Sequence, residues 1–188
     1  MRIILASKSP RRKEIFSSLA KEYGFEFEII TAPTDEELNG EHPESGVKTL
    51  AIRKGAAVYE QYPDALVVSS DTLVALGGEP LGKPVDEADA ERMLKRLSNN
   101  THNVHTGIAV HYKNKVFAGV ATTAVTFRKL SDDEILEYIA SGEPMDKAGA
   151  YGIQGGAGKF VLSYDGEFDT VVGFNVTLLK KLLKEAVE

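Results

Sequence analysis

Arg11 and Arg12 stand in the first turn of a helix that Ser9-Pro10 would open, with serine as N-cap and proline at the first helical position. Two cations at that end oppose the helix dipole by about 0.3–1 kcal/mol each. The segment 86–97 shows the preferred arrangement, with Asp86, Glu87 and Asp89 at its start and Lys95 and Arg96 near its end. A bound phosphate would offset the misplaced arginines, because free backbone N–H groups at a helix start also attract anions. Ser7 and Ser9 add hydroxyl donors just before that turn. Two solvated arginines, or a salt bridge to an acidic loop, would fit the same spacing. Lys54 falls in the middle of an apolar stripe made by Val47, Leu50, Ala51 and Val58 at helical spacing, so it either snorkels outward or points into a polar site.

Asp71 lies in Val67-Val68-Ser69-Ser70-Asp71-Thr72-Leu73-Val74. A carboxylate between two apolar segments is unfavourable unless it is paired, hydrogen-bonded or bound to metal. It either serves a site at a strand end or caps a turn there. Asp35, Glu36, Glu37 and Glu41 could supply a second carboxylate to a Mg2+ site of the kind that uses one or two carboxylates and substrate phosphates, though such a run is commonly a solvated loop. Gly82-Lys83-Pro84 sets a lysine in a tight, stiffened turn, where an exposed lysine is the plain reading.

Other chemistries are excluded. Gly158-Lys159 is not a P-loop, because Ile153 stands where the first glycine is needed and Phe160 where Ser or Thr must bind Mg2+. His42, His102, His105 and His111 lack metalloprotease spacing and are given no catalytic role. No cysteine is present, which removes disulfides, thiolate metal sites and a cysteine nucleophile. The 22 basic and 28 acidic residues leave a net charge of −6, so bulk electrostatics disfavours nucleic acid as a partner and any polyanion needs cations gathered locally. No run approaches the ~18 apolar residues of a spanning helix. The expectation is a soluble, cytoplasmic protein with no membrane partner.

These residues need elements to place them. A buried strand is expected at 2–6, a helix from Ser9-Pro10 with Ile15, Leu19 and Ala20 inward, a strand at 25–30 and a loop at 33–46. A helix follows over 45–62, then an apolar stretch at 65–76 interrupted by Ser69 to Thr72, a turn at Gly77-Gly78 and an amphipathic helix at 86–97. Segments 103–112 and 115–127 alternate and read as a hairpin about Lys113-Asn114. Ser131 and Glu134 have capping-box spacing, with Gly142 as the stop. A glycine-rich stretch at 149–158 precedes a strand near 159–163, and a last helix begins near Asn175. The hairpin argues against a purely parallel sheet, so the fold class is mixed α/β.

Read together, Ala6-Ser7-Lys8-Ser9-Pro10-Arg11-Arg12-Lys13-Glu14, Leu50-Ala51-Ile52-Arg53-Lys54, Ser70-Asp71-Thr72, Gly82-Lys83-Pro84, Thr106-Gly107, the stretch from Gly142-Glu143-Pro144 to Ile153-Gln154-Gly155, and Val171-Val172-Gly173 resemble the Maf-like nucleoside triphosphate pyrophosphatases. The order and spacing hold from about residue 6 to 175. The resemblance implies one Maf-like domain over 1–188, with an elongated, twisted mixed sheet flanked by helices, two lobes with a cleft between them, and a homodimer. It implies metal-dependent (Mg2+ or Mn2+) hydrolysis of a nucleoside triphosphate to monophosphate and pyrophosphate. Asp71-Thr72 and Ile153-Gln154-Gly155 are similar to the branch acting on dTTP and UTP. By motif position, Ser7, Arg11, Arg12, Lys54 and Lys83 would bind phosphate. Asp71 would be the general base and, with Glu36, the metal-holding acidic pair; Glu37 is the alternative to Glu36. Lys54 and Lys83 would join Asp71 and Glu36 in catalysis, and Gln154 and Thr72 would set specificity. Phe174-Asn175 departs from the family's usual Leu-Pro, which bears on how the last helix begins or on the dimer surface. Two other readings are a broad house-cleaning pyrophosphatase for non-standard nucleotides and a nucleotide-sensing, septum-related protein with little catalysis.

Overall fold

The computed structural model describes residues 1–35, 37–38 and 40–188. Glu36, the expected second carboxylate, lies outside the described residues. Along the chain run β1 (Ile3–Leu5), α1 (Pro10–Tyr23), β2 (Glu28–Ile29), α2 (Pro43–Tyr59), β3 (Leu66–Leu76), β4 (Glu79–Leu81), α3 (Glu87–Leu97), β5 (Thr101–Tyr112), β6 (Lys115–Phe127), α4 (Asp132–Ala140), β7 (Val161–Asp165), α5 (Phe168–Val172) and α6 (Val176–Val187). Three short 3-10 turns, Glu143–Asp146, Ala148–Ala150 and Gly156–Phe160, lie between α4 and β7. The strands form one sheet in the order β2-β1-β3-β5-β6-β7, with β4 on β3. β1 is parallel to β2 and β3, whereas β4 on β3 and β7 on β6 are antiparallel. The mixed α/β expectation holds. Among the described residues no helix is long and apolar enough to cross a membrane.

The chain divides into two compact units, in keeping with the two expected lobes. The first comprises Met1–Asp71, Thr106–Ala121 and Gly173–Glu188. Its strands are covered on both faces, which is why β1 is continuously apolar. Leu5, Leu66, Val68, Ile108 and Val110 pack on one face with Phe16 and Leu19 of α1 and Leu179 and Leu182 of α6. Ile4 and Val67 face the other way, toward Val58 of α2. Phe16 is fully buried, edge-on to Phe25, Phe27 and Phe174, a burial that contributes about 1.5–3 kcal/mol.

The second unit comprises Thr72–His105 and Thr122–Val172. Its core joins Val74 and Leu81 to Met93, Leu94 and Leu97 of α3, Ile135 and Tyr138 of α4, and the aromatic group Phe127, Tyr151 and Phe160. Two tight hairpins shape the sheet. Gly77 and Gly78 have φ of +59° and +83°, and Lys113 and Asn114 +48° and +59°, the twist that matches paired strands. The α4 capping box forms as expected, with Ser131 and Glu134 each bonding the other's backbone, and Gly142 follows with φ +74°.

Several elements differ from the sequence expectation, and α2 runs over Pro43–Tyr59 rather than 45–62. β2 is two residues long instead of six, with Phe25 and Phe27 packed around Phe16. The last strand starts at Val161, because 156–160 coil into a 3-10 turn. The polar run Ser69 to Thr72 does not interrupt β3, which continues through it, so Asp71 sits within a strand and caps no turn.

Candidate functional site

In the first unit the site is built on β1, α1, α2 and β3. The chain leaves β1 into Ser7, whose Oγ accepts the Ser9 backbone N–H at 3.2 Å. Ser9 is the extended N-cap of α1, its hydroxyl accepts from the Arg12 N–H, and Pro10 follows it as expected. No acidic residue lies in that first turn, so the electrostatic misplacement of Arg11 and Arg12 is real. The two arginines fare differently. Arg11 is half-exposed. Arg12 donates from Nε to the Gly173 carbonyl at 2.9 Å and from Nη1 to the Ser70 carbonyl at 2.8 Å. Ser70 Oγ donates to that same Gly173 oxygen at 3.0 Å. Arg12 thereby ties the start of α1 to β3, one residue before Asp71, and to the turn that opens α6. Gly173 has φ +106°, a conformation that favours glycine. Phe174 is buried, and Asn175 caps α6 by accepting the Leu178 N–H at 2.6 Å, so the last helix starts normally despite its departure from Leu-Pro.

Lys54 does not snorkel. Its Nζ pairs with Asp71 Oδ1, and the two side chains are only 18% and 12% exposed. The approach of α2 to the sheet sets this up. Gly107 of β5 lies so close to α2 that a Cβ there would strike the Val47 carbonyl. A Cβ on Gly55 would come within 2.5 Å of the His111 ring and 2.6 Å of Ser69 Oγ. Ser69 Oγ donates to the Ala51 carbonyl at 2.7 Å, and His111 Nε2 bonds the Ile52 carbonyl at 3.1 Å. Burial lowers the pKa of His111, against that backbone bond. The serines and glycines around Asp71 thus seat a helix one turn from its lysine. The signal that could have found them is the small-residue content of Ser69-Ser70 and Thr106-Gly107.

Lys83, Gln154 and Thr72 belong to the second unit. Lys83 is exposed in the turn after β4, and the Gly82 carbonyl accepts the Gly149 N–H at 3.0 Å. Gly149 has φ +68° and lies against Val74, so no side chain fits there. Gln154 is exposed on the loop between the second and third 3-10 turns. His102, also in this unit, is buried with Nε2 2.8 Å from the Tyr151 hydroxyl and Nδ1 unsatisfied, and burial lowers its pKa to about 4. The structure therefore brings Ser7, Arg11, Arg12, Lys54 and Asp71 into one unit and places Lys83, Gln154 and Thr72 in the second.

Among the described residues no three His, Asp or Glu side chains gather into a metal cage. A Mg2+ site of one or two carboxylates completed by phosphate oxygens has no need of one. Asp71, with one oxygen on Lys54 and a second available to a hard cation, fits that donor chemistry.

Fold and site define a mixed α/β protein with a shielded lysine–aspartate pair on an arginine-anchored strand. The family model described as Maf-like protein matches residues 2–186, and the chain belongs to that family. It is 46% identical over 185 residues to a protein of Aquifex aeolicus (strain VF5) named dTTP/UTP pyrophosphatase, covering 98% of this chain and 95% of that one. Proteins of the same name from Bacillus velezensis (strain DSM 23117 / BGSC 10A6 / LMG 26770 / FZB42) and Thermococcus kodakarensis (strain ATCC BAA-918 / JCM 12380 / KOD1) are 46% and 45% identical, with 98% and 96% of this chain covered and 96% and 94% of theirs.

Proposed function

We propose that this chain is a cytoplasmic hydrolase that cleaves dTTP and UTP between the α and β phosphates, giving the monophosphate and pyrophosphate. The observation that carries the reading is the shielded Lys54–Asp71 pair, in a chain whose near-full-length relatives bear that name. Asp71 takes a proton from water as its oxygen attacks the α-phosphorus. The bond from that phosphorus to the bridging oxygen breaks, and pyrophosphate leaves, with no covalent intermediate. Lys54 pairs with Asp71 in the free protein and turns to phosphate oxygens when substrate binds. Ser7 and Arg11 bind phosphate at the start of α1. Arg12 adds charge there while holding the Ser70–Asp71 strand. Lys83 stabilises the charge that develops on the leaving group, and Gln154 and Thr72 select the base. A divalent cation, Mg2+ or Mn2+, held by Asp71 and Glu36 with phosphate oxygens, would supply Lewis-acid polarisation of the α-phosphoryl group when bound. A homodimer is also proposed, supported by the exposed Leu162, Tyr164 and Phe168 on and beside the edge strand β7.

A panel of nucleoside triphosphates with Mg2+ or Mn2+, scored by pyrophosphate release, tests the reading. Preference for dTTP and UTP supports it. Preference for modified nucleotides points to a broad house-cleaning enzyme, and tight binding without product to a nucleotide sensor.

A further inference from the structure

The loop that carries Gln154 is fastened at both ends by side chains to which the proposed reaction gives no role. Tyr138 of α4 is buried, and its hydroxyl accepts the Gly152 N–H at 3.1 Å. That hydroxyl lies 2.9 Å from Glu143 Oε1, to which it donates its proton. Glu143 Oε2 accepts the Gly156 N–H at 2.9 Å. One relay, Gly152 to Tyr138 to Glu143 to Gly156, therefore closes the five-residue span around Gln154. Burial raises the Tyr138 pKa, so the phenol keeps the proton it donates. The backbone that carries this carboxylate is itself held, since Lys147 Nζ donates to the Glu143 main-chain carbonyl at 2.9 Å. The glycines are what let the loop wrap it. A Cβ on Gly155 would fall on the Glu143 carboxylate, and one on Gly152 would lie 3.0 Å from Glu143 Oε1 and 2.7 Å from Lys147 Cε. Just before the loop, Tyr151 is anchored in the core against His102. Gln154 is exposed between these fixed points.

We propose that Tyr138 and Glu143 are positioning residues for base selection, holding the Gly152–Gly156 loop so that Gln154 meets the nucleotide base in one geometry. The inference rests on the reading of Gln154 as a selectivity residue. A loop released from either clamp still carries Gln154, but samples positions in which its amide misses the base. Discrimination then falls more than turnover does.

The test compares kcat and KM for dTTP and dCTP in the full-length parent, Tyr138→Phe, Glu143→Gln and Gln154→Ala, with thermal melting of each. Tyr138→Phe removes only the hydroxyl that links Gly152 to Glu143. It is expected to lower the dTTP-to-dCTP ratio of kcat/KM about five- to tenfold, the size of one lost hydrogen bond, chiefly by raising KM for dTTP. The Tyr138→Phe/Gln154→Ala double variant is expected to discriminate no worse than Gln154→Ala, because both changes act through one contact. Should Tyr138→Phe fail to fold, Glu143→Gln gives the same reading: its amide can accept one of the two bonds but faces the other donor with N–H. A folded Tyr138→Phe with the parental ratio, or with equal losses for both nucleotides, overturns the inference while Gln154→Ala still alters the ratio. An unaltered ratio in Gln154→Ala overturns the reading of Gln154, and this inference with it.

Discussion

Lys54 and Asp71 pair in a setting that admits little water. Breaking such a pair by removing one partner is far more damaging than replacing both. Asp71→Leu removes one half of this shielded pair, and chemical denaturation should show a loss of about 3 kcal/mol. Asp71→Asn keeps an oxygen for Lys54 and should fold normally, bind nucleotide and release no pyrophosphate; full activity in that variant would remove Asp71 from the mechanism. Arg12 makes a different kind of contact, since its guanidinium spans the Gly173 and Ser70 carbonyls with two separate donors. A lysine offers one point charge and cannot bridge both. Arg12→Lys should therefore lose about 1–2 kcal/mol of stability and most of its activity, and near-parental values in both would show that the bridge does not matter. Lys54 was legible from sequence as a charge in an apolar stripe, and Asp71 as a carboxylate between apolar runs. Their partnership was not, because it depends on how α2 lies against the sheet. The main-chain partners of Arg12 were equally hidden, since a carbonyl leaves no mark on residue type.

The elements show why a polar run need not end a strand. Ser69 and Ser70 satisfy their hydroxyls on the Ala51 and Gly173 carbonyls, so β3 passes through four small or polar residues without a break. Sequence periodicity sees only the polarity and expects an interruption there. Caps and turns were legible, because Ser9-Pro10, Ser131 with Glu134 and Gly77-Gly78 act through local backbone geometry. The short β2 was over-read, since its phenylalanines alternate like a strand yet pack around Phe16. At this scale Gly107 is the sensitive point, as β5 and α2 touch there backbone to backbone. Gly107→Ala should push α2 outward, lose about 1–3 kcal/mol and weaken nucleotide turnover as Lys54 shifts. Parental denaturation and turnover would mean that the helix accommodates a methyl group.

Across the whole molecule the acidic balance and the ligand chemistry oppose each other. A net charge of −6 repels a triphosphate, so binding depends on the few cations at the site, and added salt should weaken it steeply. The buried histidines set the response of the fold to acid. His102 has its pKa lowered from 6.5 to about 4 by burial, and its unpartnered Nδ1 offers a proton no acceptor. The unfolded chain takes up that proton near 6.5. Stability from this group is therefore complete above that pH and falls as pH drops toward about 4, by roughly 3 kcal/mol in all. His111 is shifted the same way and adds to the slope. Denaturation curves across this range should be shallower in pH for His102→Gln than for the parent, and identical slopes would show that His102 is protonated within the fold. The mixed sheet was legible through the alternating elements and the central hairpin, whereas the two lobes followed only from the family resemblance. The loop clamp of Tyr138 and Glu143 was not, because its donors are backbone N–H groups of glycines.

The proposed hydrolysis depends on Asp71 directing water to the α-phosphorus. Turnover of dTTP in heavy-oxygen water, followed by mass analysis of the products, tests this most directly. The label is predicted in the monophosphate, with unlabelled pyrophosphate beside it and no turnover in Asp71→Asn. Label in the pyrophosphate, or diphosphate and inorganic phosphate as products, would contradict it.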